Sequence, residues 1–191
     1  MKRLLIVMSV LAVSVGLFTF NYVVNNDNGL EMLEDFEGEK IVEEGNDEKE
    51  QEIAELINET HQTLNLLTGY GSINRFSNSN EGSWVEAMTR LQQPLEEFEA
   101  NLSYVTEAIY DDLKNFILVT RVALYERNEE AMLYSHRIIH DLDVAYNGYN
   151  EKIFGVTTYV AGTDWGEDRQ HQRINEIVRI AKNNPLYAVD E

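Results

Sequence analysis

His136 and His140 are four residues apart. On a helix that spacing puts both imidazoles on one face, one turn from each other. Asp143 continues the same stripe and Asp141 is adjacent. Imidazole together with carboxylate is a donor set for zinc, manganese or iron. Helical bundles hold such ions in their interior with ligands from facing helices. His61, in an earlier segment, is the candidate that completes the set, giving His61, His136, His140 and Asp143 as possible ligands of a divalent metal. The chain has no H-E-x-x-H. The E-x-x-H of carboxylate-bridged di-iron bundles is also missing, because Leu133 precedes His136 by three and Arg137 precedes His140 by three. Both histidines flank the apolar seam of their helix. The plain alternative is a pair of boundary residues hydrogen-bonded to tyrosines or acids.

Two further groups are candidates for binding. Arg121 is the only charge between Asn115 and Ala123. It reads as an anion anchor in a pocket, or as a side chain that reaches the surface or pairs with a carboxylate. Asp164 and Trp165, with Glu167 and Asp168, form an acidic patch around one tryptophan, between Gly162 and Gly166. Such a loop can carry binding, and the alternative is that Trp165 closes the end of the bundle. No G-x-S-x-G, P-loop or dinucleotide fingerprint is present. With 34 acids in the chain, any pair of carboxylates can be picked out, so pairing carries no information.

The elements that position these residues are helices. The centre is Asp111–Tyr149. Ile109, Leu113, Phe116, Thr120 and Ala123 keep helical spacing in a segment that is apolar nearly all round, the mark of a helix enclosed by others. Arg127 and Asn128 break the pattern, and Asn128 before Glu129 and Glu130 reads as a helix start. So short a link makes the two helices antiparallel neighbours. The second has its seam at Met132, Ser135, Ile139, Leu142, Tyr146 and Tyr149. Upstream, a helix begins near Asp47 or Glu48, with Ile53, Leu56, Ile57, Thr60, Leu64 and Leu67 inward, and ends before Gly69. Ser83-Trp-Val-Glu86 matches a capping box. The positions Trp84, Met88, Leu91, Leu95, Phe98, Leu102 and Val105 follow it in helical register, with Pro94 expected to kink the helix. Between Asn101 and Thr106 the chain either turns or runs on as one bent helix. Phe154–Gly162 reads as an ordered loop or one short strand. A last helix, opened by Asp164–Asp168, buries Ile174, Ile177, Val178 and Ala181 and stops at Asn183-Asn184-Pro185.

Composition sets the outer limits. The net charge of −19 argues against nucleic acid as a partner, since phosphate contacts need a basic surface. The chain has no cysteine, which excludes disulfides and thiolate chemistry. After Lys2 and Arg3, an apolar run from Leu4 to Val24 is long enough, at about 31 Å as a helix, to span a bilayer. It offers no A-x-A cleavage site, so an uncleaved signal anchor is expected, with the remainder outside the membrane. If cleaved, the remainder is secreted. Between Asp27 and Glu59 there are fourteen acids and only two lysines, which makes residues 25–47 an acidic linker.

The expected architecture is therefore all-α. An antiparallel four- to five-helix bundle over 48–184, with a tail at 185–191, follows the anchor at 1–24 and the linker. The expected function is a membrane-anchored, extracytoplasmic interaction or scaffold module that binds a protein partner without a cofactor. The alternative is a metal-binding or metal-dependent enzyme centred on His136 and His140.

Overall fold

The computed structural model describes residues 46–76, 80–161, 169–187 and 189. The anchor, almost all of the acidic linker and the patch around Asp164 and Trp165 lie outside them. The described residues are helical, with no strand among them. They form α1 (Asn46–Thr68), α2 (Glu81–Asn101), α3 (Glu107–Glu126), α4 (Glu129–Asn147), the single turn α5 (Thr158–Ala161) and α6 (Arg169–Lys182). Among these residues no helix is long and apolar enough to cross a membrane.

α3 is the central rod. Ile109, Leu113, Phe116, Ile117, Leu118, Val119, Val122, Ala123 and Leu124 are all buried. It touches α2, α4, α5 and α6, which is why its sequence has no clean polar face. Each large apolar side chain enclosed in this way contributes about 1.5–3 kcal/mol. α3 ends at Arg127, a residue with φ 51°, and Asn128 caps α4 by accepting the Ala131 amide at 2.9 Å. The two-residue link makes α3 and α4 antiparallel. α4 ends at Gly148, whose φ of 70° suits a residue without a side chain.

The break between α2 and α3 is real: α2 stops at Asn101, a 3₁₀ turn covers Leu102–Tyr104, and α3 starts after Thr106. α2 runs through Pro94 without ending there. The capping box is a correction. α2 opens at Glu81 after Asn80, three residues early, and Ser83 lies buried within its first turn. The phrase S-x-x-E is satisfied equally well inside a helix, so the motif alone does not fix the boundary. No strand forms at Phe154–Ala161, which is a loop closing with α5.

Two buried carboxylates hold that loop against the bundle. Asp112 accepts from the Thr158 amide (2.9 Å), the Thr158 hydroxyl (2.8 Å) and the Tyr159 amide (2.8 Å). Asp141 accepts from the Phe154 and Val156 amides, both at 2.6 Å. Burial pushes both carboxyls above their ordinary pKa, against the lowering effect of these same bonds.

Candidate metal centre

α1 and α4 pack against each other antiparallel, and each brings a polar stripe to the contact. On α1 the stripe is Asn58, His61, Asn65 and Thr68, at spacings of three, four and three. On α4 it is His136, His140, Asp143 and Asn147, at four, three and four. These are the intervals that align side chains along one helix face. The seam is ordered by direct bonds from one end to the other. Asn147 donates to the Ala54 carbonyl (2.8 Å) and to Asp143 Oδ1 (2.7 Å), while Thr68 meets His136 at the far end (2.9 Å).

Three histidines converge in the middle. The candidate ligand nitrogens of His61, His136 and His140 all lie within 4.8 Å of one another. The His61 and His140 rings are 4.8 Å apart edge to face, and the His61 and His136 rings stack at 5.6 Å. Tyr149 lies edge-on to His61 at 5.0 Å, and Phe154 to His140 at 4.8 Å.

The outer bonds decide which nitrogens face inward. His61 Nδ1–H donates to Asp143 Oδ2 at 2.7 Å, leaving the Nε2 lone pair inward. His140 Nε2–H donates to the Lys152 carbonyl at 3.1 Å, leaving Nδ1 inward. His136 Nδ1–H donates to Thr68 Oγ1 at 2.9 Å, while the Thr68 hydroxyl gives its own proton to the Leu64 carbonyl at 2.8 Å. That leaves His136 Nε2 inward. Each ring thus has one nitrogen held by an oxygen and the other turned inward, and outer oxygen acceptors of this kind orient metal-binding histidines.

The inward side is short of donors. His61 Nε2 and His140 Nδ1 are 3.1 Å apart. The Asn65 carboxamide reaches His61 Nε2 at 3.0 Å with its nitrogen and His136 Nε2 at 2.9 Å with its oxygen. Several lone pairs face one another across a buried gap with one amide group to serve them. A cation placed in the gap would resolve that conflict. Two imidazole nitrogens on one tetrahedral zinc, at about 2.0–2.1 Å each, are about 3.3 Å apart. The His61–His140 pair is already near that value. For a tetrahedral ion the widest nitrogen separation would have to close by roughly 1.5 Å.

Electrostatics favour the ligating form. Burial, with the neighbouring His61 and His140 rings, pulls His136 down to about 4. Burial also lowers His140. Both are neutral at neutral pH, as a ligand must be. Burial pushes Asp143 upward, but bonds from His61 and Asn147 outweigh it and leave the carboxyl below its ordinary range. Asp143 stays ionised and polarises His61.

All four residues of the expected ligand set therefore meet at one seam, with a distinction between them. Asp143 sits behind His61 rather than beside the inward nitrogens, because its oxygens are taken by His61, Asn147 and Asn58. Sequence reasoning missed Asn65, Thr68 and the Lys152 carbonyl. The first two had a signal, since they follow His61 at four and seven residues. The carbonyl had none.

Arg121 lies elsewhere. It donates to Glu99 (2.5 and 3.4 Å) and to the Tyr187 carbonyl (3.2 Å), tying α3 to α2 and to the chain end. Asp164 and Trp165 lie outside the described residues.

Comparison with protein-family models, with curated proteins and with solved structures finds no match to this chain.

Proposed function

We propose that the helical unit binds one transition-metal ion through His61 Nε2, His136 Nε2 and His140 Nδ1, with zinc or copper favoured. The observation that carries this reading is the convergence of three imidazoles, whose candidate ligand nitrogens lie within 4.8 Å of one another. A carboxylate, a backbone carbonyl and a committed hydroxyl each fix one imidazole and leave its other nitrogen turned toward the same gap. An all-nitrogen donor set suits zinc, copper, nickel or iron and is poor for calcium or magnesium, which take oxygen. In this reading the apolar run 4–24 anchors the chain in a membrane with the helical unit outside, and residues 25–47 are the acidic link. Lys2 and Arg3 ahead of 21 apolar or neutral residues support that placement.

The test is calorimetric titration of zinc and of copper into the full-length chain in mild detergent. One ion per chain is expected, with His61→Ala, His136→Ala and His140→Ala each weakening binding strongly. Equal binding by the three variants and the wild type would assign the metal to the acidic surface and end the proposal.

A second reading, a module that binds a protein partner, has one feature in its favour. Leu66 in the last turn of α1 and Tyr70 just beyond its end are both exposed, and Tyr70 adopts φ 52°. Paired replacement by serine and lysine would abolish capture of that partner from intact cells and leave metal titration unchanged.

A further inference from the structure

Resting on the metal reading, we infer that the ion keeps one coordination position open and takes a water molecule or a small anion there. Three observations lead to this. The first is the donor count. Among the described residues, no fourth histidine, aspartate or glutamate joins the three imidazoles. Asp143 is engaged with His61, Asn147 and Asn58 on the far side of His61. Zinc-type ions held by three protein ligands complete their shell from solution, whereas closed structural sites supply all four.

The second is access. His61 is only 1% exposed, but His136 and His140 are 9% and 8% exposed. Tyr149 and Phe154, whose rings lie edge-on to His140, are themselves partly exposed, so His140 lies near the surface.

The third is Asn65. Its carboxamide lies between the two rings, its nitrogen donating to His61 Nε2 at 3.0 Å and its oxygen 2.9 Å from His136 Nε2, so it stands where the ion would enter. The residue is only half-buried and so can turn aside. A neutral amide oxygen is a weak partner for an ion chosen by imidazole. Displaced, the same amide offers a hydrogen-bond donor at the edge of the open position, where it would face a bound oxygen or nitrogen ligand. Asn65 is then a positioning residue for the incoming ligand, not a ligand itself.

The experiment uses the full-length chain loaded with cobalt(II), whose visible bands report coordination, and titrates it with azide. Saturable change in the bands at constant cobalt content is expected in the wild type. It should persist with altered azide affinity in Asn65→Ala and be lost in His136→Ala/His140→Ala. Cobalt bands that azide moves in neither the wild type nor Asn65→Ala would mean a closed shell and overturn the inference while leaving the metal reading standing. A response confined to Asn65→Ala would make Asn65 the fourth ligand and overturn it as well. Failure to take up cobalt, zinc or copper at all would overturn both.

Discussion

Replacing Asp141 with alanine should loosen the loop that completes the histidine seam. Asp141 is buried and accepts the Phe154 and Val156 amides at 2.6 Å. Hydrogen bonds to a charged acceptor are each worth about 1.5–3 kcal/mol, so two amount to about 3–6 kcal/mol. Part of that is offset in the native protein, because burying the carboxylate is itself costly, as its raised pKa indicates. The net expected loss in Asp141→Ala is about 2–4 kcal/mol, since two amides are left without their acceptor. Asp141→Asn keeps one acceptor oxygen and should lose roughly half as much. Urea unfolding monitored by circular dichroism measures both. The same loop presents the Lys152 carbonyl to His140 and Phe154 to its ring. Metal affinity should therefore fall in step with stability. A loss below about 1 kcal/mol, or an asparagine variant less stable than the alanine one, would refute the reasoning.

Asp143→Asn removes the charged acceptor behind His61 and should weaken zinc binding about 10- to 100-fold with the fold intact, measured by calorimetric titration. Breaking the Arg121–Glu99 pair by Arg121→Met should destabilise by about 2 kcal/mol, less than a fully buried pair would cost. The double variant with Glu99→Gln should recover part of the loss, because it removes the stranded charge. Asp112 has a folded pKa raised by burial above its ordinary 3.8. Its linkage contribution to stability is fully present below 3.8 and is lost as pH rises through the folded value. The stability advantage of the wild type over Asp112→Asn should accordingly shrink between pH 3.5 and pH 7, which urea unfolding at a series of pH values will show, and growth of that advantage would contradict the assignment.

The helices were legible because burial leaves a periodic trace. Phe116, Ile117, Leu118 and Val119 in a row announced an enclosed helix, and α3 is the rod at the centre. Asn128 announced its cap, and the Ala131 amide bonds to it. Boundaries set by weaker chemistry were less visible, as at Ser83, where a helix interior and a capping box share one pattern. Half of the site could be read in the same way: His136, His140 and Asp143 lie on one stripe, and His61 was the one histidine upstream. The pairing of that stripe with Asn65 and Thr68 depends on the register between α1 and α4. Register is fixed by packing over both helices, not by any local word in either. The Lys152 carbonyl is further from view, since backbone groups have no residue signature. Its position comes from Asp141, whose bonds to two amides shape the loop.

The most direct test of the metal centre is elemental analysis of the full-length chain purified without chelator, beside the His136→Ala/His140→Ala variant. One equivalent of zinc or copper per chain, absent from a variant of unchanged helicity, is the predicted result. A wild-type chain that purifies free of metal and cannot be loaded with zinc or copper would contradict it, and the three histidines would then be a hydrogen-bonded seam and nothing more.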